Sequence, residues 1–265
     1  MRIVLVSTWY PMAISRFFER AFKRRDDLEI ITAGPYTGSW IPWAGGMHLP
    51  DKYAIKPDID LPTGAIQVGH AGAIPFAMIE ARLPSGWVPD MWVQVDAGFS
   101  LSGRPVHGRN VIVATDPHAL NYDRQRGAAD TFFCMQKCYS QAGDLYLPYA
   151  YDPTLHYSED REQKYDGCLI GLPYDQRSKL IDGLRAAGLN IYADIGPAFD
   201  EYRALYSESL VALSWSSRDD LIARIFEGMA MDRPVVCNNV PDLPLFFTSG
   251  EDLATFDTLD QAPGS

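Results

Sequence analysis

The sequence predicts an α/β protein built from two doubly wound domains that face a central cleft. Three observations predict it. Short apolar runs recur along the chain and end in small or polar residues, the pattern of strands buried on both faces. Segments of helical character separate them, which is the strand–helix alternation of a parallel sheet. The alternation occurs twice, on either side of a polar stretch at 149–165 that lacks apolar periodicity. A boundary at 157/158 therefore divides the chain into 1–157 and 158–265. Ligands of such sheets sit outside the carboxyl ends of the strands, so a two-domain version places its site in the cleft.

Strand 2–6 is the first element, bounded by Ser7 and Thr8, and a helix over about 13–25 follows it. Strand 28–33 ends at Gly34. Further strands are predicted at 65–68, 91–95, 110–115, 131–134 and 145–147. The second alternation opens with strand 166–170 against Gly171, then a helix over about 175–187 closed by Gly188. Strand 189–193, helix 198–208, strand 209–214 and helix 219–231 come next. Strand 234–237, a short helix near 241–247 and a strand near 252–256 complete it. Residues 34–64 stand apart, with five glycines, five prolines and two tryptophans in no clear period. A connection that long is usually a functional loop or a disordered one. In it Tyr36, Trp40 and Trp43 suit either stacking on a flat partner or folding back on the sheet edge.

Composition narrows the function. With 47% hydrophobic and 22% charged residues the chain is neither disordered nor fibrous. No apolar run reaches the roughly 18–20 residues that span a bilayer, and the opening apolar run is too short for a signal peptide. A cytoplasmic location is expected. Four cysteines are too few for a disulfide scaffold. Of the net charge of −11, almost all lies in the second half: 14 Lys and Arg face 15 Asp and Glu in 1–157, against 9 facing 19 in 158–265. The second half therefore disfavours DNA or anionic membrane. In the first half Arg16, Arg20, Lys23 and Arg24 share a face of the predicted helix, either a solvated face or a basic patch.

Several motifs are absent: G-x-x-x-x-G-K-S/T, G-x-S-x-G, H-E-x-x-H and G-x-G-x-x-G. Cys134 and Cys138 lack a second pair at zinc spacing. Asp58 and Asp60 form a D-x-D between prolines, and hard cations need more converging oxygens than two, so no metal is expected. The informative stretch is 209–247, a buried strand, a polar turn and a helix. On a helix beginning at 219, Asp219 and Glu227 lie about two turns apart on nearly one face. Two such carboxylates can accept hydrogen bonds from vicinal hydroxyls, or Asp219 is an acid favoured by the helix dipole.

Residues 224–236, Arg-Ile-Phe-Glu-Gly-Met-Ala-Met-Asp-Arg-Pro-Val-Val, carry a likeness. They resemble the R-x-F-E-x-M-A-x-G-x-P-V-V signature of GT-B glycosyltransferases of the group 1 type, in the spore-maturation-protein-like branch. The likeness extends to Asp166–Gly171 with Arg177 downstream, to Pro241–Leu243 and to Gly250–Asp252, and more loosely to 113–118, 129–133 and 147–153. It implies two Rossmann-like domains and the transfer of a sugar from a nucleoside-diphosphate sugar to an acceptor.

The resemblance also assigns roles. Glu227 would hold ribose hydroxyls, and Asp219 would stand near the donor sugar, where the family more often has Glu. Arg177 would meet the diphosphate, with Gly171, Arg224, Ser217, Asn239 and Ser216 around the nucleotide. Asp232 replaces a glycine that often ends the motif helix. Asp116 and His118 close strand 110–115 on the acceptor side and could orient a sugar or take a proton. A capped turn is the plainer reading of Asp-Pro-His. Family members often add a terminal helix beyond the last strand predicted here. The expected protein is a metal-independent, cofactor-free hexosyltransferase-like enzyme, with retention of configuration implied by the likeness. DNA or another polymer as acceptor is one alternative, and a nucleotide-sugar-binding protein without turnover is another.

Overall fold

The computed structural model describes residues 1–41, 47–63, 72–95 and 99–258. They fall into two compact units, Met1–Pro148 and Tyr149–Ser265. The division precedes the expected 157/158 boundary because residues 149–157 are not a linker. Leu155 and His156 are buried, and the Leu155 carbonyl accepts from Arg203 Nη1 at 3.1 Å within the second unit.

The first unit contains β1 (Arg2–Val6), β2 (Glu29–Pro35), β3 (Ile59–Leu61), β4 (Gly72–Pro75), β5 (Met91–Val95), β6 (Phe99–Ser102), β7 (Arg109–Ala114), β8 (Thr131–Cys134) and β9 (Leu145–Tyr146). Seven of these form one sheet in the order β3-β2-β1-β5-β7-β8-β9, every pair parallel. Strands β4 and β6 pair separately. Helices α1 (Ile14–Lys23), α2 (Phe76–Glu80) and α3 (Asp123–Ala128) lie between strands in sequence. Alternation along β1 sends Val4 and Val6 to the face packed by Phe76 and Ile79 of α2 and by Trp92. From β1 the chain proceeds to β2 on one side, while β5 lies on the other. The carboxyl ends of β1 and β5 are therefore the switch point of this sheet.

The described residues of the 34–64 segment carry regular structure that its composition does not suggest. Strand β3 lies inside it and pairs with β2 from Ala33↔Ile59 to Pro35↔Leu61. Asp58 Oδ2 accepts from both the backbone N–H and the hydroxyl of Thr32, each at 2.8 Å. Tyr36 donates its hydroxyl to the Ala54 carbonyl, and half-buried Trp40 bridges to His48. Trp43 and the strand expected at 65–68 lie outside the described residues.

The second unit contains β10 (Tyr165–Ile170), β11 (Ile191–Asp194), β12 (Ser209–Ser214), β13 (Val235–Asn238) and β14 (Ala254–Phe256), with α4 (Asp175–Ala186), α5 (Asp200–Ser207) and α6 (Ala223–Ala230). Its sheet is parallel in the order β11-β10-β12-β13-β14, with the switch point between β10 and β12. Cys168 and Ile170 pack with Tyr202 and Tyr206 of α5 and Ile225 of α6. Leu169, between them in sequence, packs with Leu180, Ile181 and Leu184 of α4. The sheet is thus covered on both faces, as its unbroken apolar runs require.

Two helix ends follow their residues. Gly188 at φ +90° closes α4, its N–H reaching the Arg185 carbonyl while Leu189 N–H reaches Leu184. The same pattern closes α6, where Asp232 N–H reaches Met229 and Arg233 N–H reaches Gly228. Gly228 lets α6 approach the sheet. A Cβ there would lie 2.8 Å from Ala212 Cβ and 3.3 Å from Val235 Cγ2. The expected helix at 241–247 is only a 3-10 turn over Leu243–Leu245.

Candidate active site

Three residues, Gly171, Arg177 and Arg224, converge at the switch point of the second sheet. Gly171 follows β10 with φ +152°. A side chain on it would collide with Arg224 Nη2 and lie 3.2 Å from Arg177 Nη1, so glycine is what lets both guanidinium groups meet there. Arg177, from the first turn of α4, donates Nε to the Trp215 carbonyl at 2.8 Å and Nη1 to Leu172 at 3.0 Å. Its guanidinium lies 5.1 Å from the Tyr174 ring centre. Arg224, from the first turn of α6, donates Nε to the Ile170 carbonyl at 2.9 Å.

The electrostatics of this pair favour an anion. Among the described residues, neither arginine forms an ion pair with a carboxylate, and Arg224 Nη1 is buried without a hydrogen-bond acceptor. Burial, followed by the charge of Arg224, pushes the Arg177 pKa down to about 10. Burial also acts to lower that of Arg224, but Tyr206, Tyr202 and Glu227 outweigh it and leave it raised. Both groups remain cationic at neutral pH, held mainly by neutral carbonyls. An entering phosphate would supply the acceptors that these carbonyls do not. A cavity of about 340 Å³ adjoins Arg177, lined by Gly171, Arg177, Asp182, Arg185, Asp194 and Ile195 among others.

Glu227 stands one turn beyond Arg224 on α6. Its Oε2 accepts from the Tyr202 hydroxyl at 2.7 Å, and its Oε1 lies 3.6 Å from His156 Nε2. Burial, then the Glu227 charge, raises the Tyr202 pKa well above its ordinary value, so the hydroxyl stays a donor.

Asp219 requires a correction. Helix α6 begins at Ala223, so Asp219 is not on it and shares no helix face with Glu227. It is exposed in the preceding turn with φ +58°. Ser216 makes that turn: its hydroxyl bonds Asp220, and it accepts the Asp220 N–H at 3.0 Å. Asn238 fixes Ser216 in turn, with Oδ1 accepting its N–H at 2.7 Å and Nδ2 donating to its carbonyl at 3.0 Å. The predicted neighbours Ser217 and Asn239 are exposed. The organising asparagine is Asn238, one residue before the predicted one.

In the first unit, Asp116 and His118 follow β7 as expected, in a turn where Ala119 and Leu120 donate N–H to the Asp116 carbonyl. Asp116 Oδ2 accepts from Thr115 Oγ1 at 2.7 Å, and His118 Nε2 lies 4.0 Å from Asp116 Oδ1. Asp116 and Thr115 share a small cavity with Ser7, Tyr10 and Val95, at the switch point of that sheet.

The basic face loses its first member. Arg16 is buried, paired with Glu19 at 2.9 Å and stacked 4.6 Å from the Trp9 ring centre. Lys23 is bound to the same Glu19 at 2.6 Å. Asp58 is committed to Thr32, and Asp60 pairs with Lys56 at 3.4 Å. Among the described residues no three His, Cys, Asp or Glu cluster as a metal site, and no helix is long and apolar enough to cross a membrane. Sequence reasoning missed Tyr202, His156 and Asn238. His156 stands in a stretch that reads as linker, and no residue pattern around it marked it.

Residues 160–264 match the family described as glycosyl transferase-like. No curated protein sequence matches the chain. Its fold matches AviGT4, a glycosyltransferase involved in avilamycin A biosynthesis, at 12% identity and TM-score 0.59, over 99% of this chain and 86% of that one. It also matches an alpha-glucosyltransferase in complex with UDP and a 13-mer DNA, at 10% identity and TM-score 0.57, over 89% and 79%. A third match is TarM, at 10% identity and TM-score 0.50, over 70% of this chain. The chain spans about half (49%) of TarM. At these identities the likeness is one of fold: α/β with parallel sheets, as in GT-B glycosyltransferase structures.

Proposed function

We propose that the protein is a glycosyltransferase that takes its sugar from a nucleoside-diphosphate sugar. The observation that carries this reading is the pair of arginines at Gly171, cationic and, among the described residues, in ion-pair contact with no carboxylate, at a sheet switch point. Two phosphates suit such a pair, and Glu227 stands one turn beyond Arg224 for the ribose hydroxyls. The glycosyl transferase-like match over 160–264 supports the same assignment. The narrower kinship with the spore-maturation-protein-like branch rests on the 224–236 motif and belongs to the proposal.

As the bond to the sugar breaks, charge develops on the leaving diphosphate. Arg177 and Arg224 stabilise it in a site already organised for it, which is work that a divalent cation performs elsewhere. The reaction therefore needs neither metal nor cofactor. Asp116 and His118 serve the acceptor, the histidine by moving or orienting its proton. Retention of anomeric configuration is part of the same proposal, and the anomer of the product tests it.

A polymer acceptor is the weaker alternative, since the basic face that would serve it has lost Arg16 to the interior. Turnover separates the enzyme from a binding protein. The protein is incubated with UDP-, GDP-, ADP- and dTDP-glucose in excess chelator, with water standing in as the acceptor of the glucosyl group, and the nucleoside diphosphate and free glucose released are measured. Release from one donor is expected. Release from none, or only after magnesium or manganese is restored, contradicts the proposal.

A further inference from the structure

Glu227 is held by two side chains from different parts of the second unit. Tyr202 comes from α5 and grips Oε2 at 2.7 Å. His156 comes from the first segment of the unit, and a backbone contact assigns its tautomer. The Asp152 backbone N–H donates to His156 Nδ1 at 3.1 Å, so Nδ1 carries a lone pair. The neutral ring then holds its hydrogen on Nε2, which faces Glu227 Oε1 at 3.6 Å, an electrostatic contact rather than a full hydrogen bond.

The segment that carries His156 is itself fixed. Leu155 and His156 N–H groups both reach the Asp152 carbonyl, closing one helical turn. Arg203 of α5 clamps the segment around that turn. Its Nη1 reaches the Leu155 carbonyl at 3.1 Å, its Nε reaches Glu159 at 2.6 Å, and its guanidinium lies 4.2 Å from the Tyr157 ring centre.

We infer that His156 and Tyr202 are positioning residues that set the two Glu227 oxygens for the hydroxyls of a ribose. The inference rests on the reading of Glu227 as the ribose acid. A free glutamate explores several rotamers, and two hydroxyls of fixed spacing select one of them. With Tyr202 donating to one oxygen and His156 Nε2 facing the other, the carboxylate is oriented before the nucleotide arrives, and each oxygen keeps lone-pair capacity for a hydroxyl.

The test compares ribose with a sugar that lacks its hydroxyls. UDP, GDP, ADP and CDP are titrated into the protein, and the tightest is compared with its 2′,3′-dideoxy counterpart. The unsubstituted protein should prefer the ribonucleotide by about tenfold or more, the scale of a hydrogen bond to a charged group. Tyr202→Phe, which keeps the ring, and His156→Leu should each lose most of that preference. His156→Gln, which keeps a donor near the Nε2 position, should restore it. Affinity for inorganic pyrophosphate, held by the arginines, should be unchanged in all three, which excludes a merely structural effect.

Loss of the preference in Glu227→Gln, with full preference in Tyr202→Phe and His156→Leu, overturns the positioning role and leaves the proposed function standing. No preference in the unsubstituted protein overturns the reading of Glu227 and the inference with it. If His156→Leu does not fold, Tyr202→Phe decides the carboxylate's dependence on its donors. The imidazole nitrogen-15 resonances of the unsubstituted protein then decide the histidine: hydrogen on Nε2 supports the inference, and hydrogen on Nδ1 overturns it.

Discussion

Gly171 is the residue on which the site depends most tightly. Its φ of +152° and the two guanidinium groups against its Cα leave no room for a side chain. Gly171→Ala is therefore expected to displace Arg224 and weaken nucleoside-diphosphate binding tenfold or more, while the buried sheet keeps the fold; calorimetric titration checks it. His118 carries a separate expectation. His118→Ala should lower transfer by about 10²-fold, the scale of a positioned acid or base, with nucleotide affinity retained. Full activity in that variant would make Asp-Pro-His a structural turn. At this scale the motif singled out Arg224 and Glu227, which the structure places on one helix, with Arg177 meeting Arg224 at Gly171. The sequence was silent where the partner came from another element. Nothing in the spacing of Tyr202 or His156 relates them to Glu227 before the sheet is folded.

Helix α6 is the element that carries the motif, and its two ends show what periodicity resolves. The last turn is closed by Asp232 in a left-handed conformation at φ +56°, which glycine adopts without strain. Asp232→Gly should raise stability by roughly 0.5–1 kcal/mol, read as an increase in the urea midpoint at unchanged slope. A loss of stability would mean that the aspartate side chain compensates for its backbone. The first turn was misplaced. Polar residues between a strand and an apolar helix read as helical N-terminal turns, yet Ser216, Asp220 and Asn238 fold 215–220 into a turn of their own. Local side-chain hydrogen bonds compete with helix for such residues, and composition does not reveal which wins. Strand β3 escaped notice for a related reason. Three residues between prolines carry too little pattern, and their pairing with β2 is decided by the sheet.

The architecture of the whole molecule was the most legible feature, because it rests on many weak signals that agree. Each apolar run recognised as a strand and described in the structure lies in a parallel sheet, and each of the two larger sheets has a switch point with some of the candidate residues at it. The first unit offers Ser7, Thr115 and Asp116 there, and the second offers Gly171, Arg177 and Arg224. The proposed function stands or falls with the second of these as a diphosphate site. Titration of UDP, GDP, ADP, CDP and dTDP into the unsubstituted protein and into Arg177→Met is the decisive measurement. At least one nucleotide should bind the unsubstituted protein, weaken as salt is raised, and lose tenfold or more in affinity with Arg177→Met. Binding of none, or equal binding by both proteins, would refute the diphosphate site.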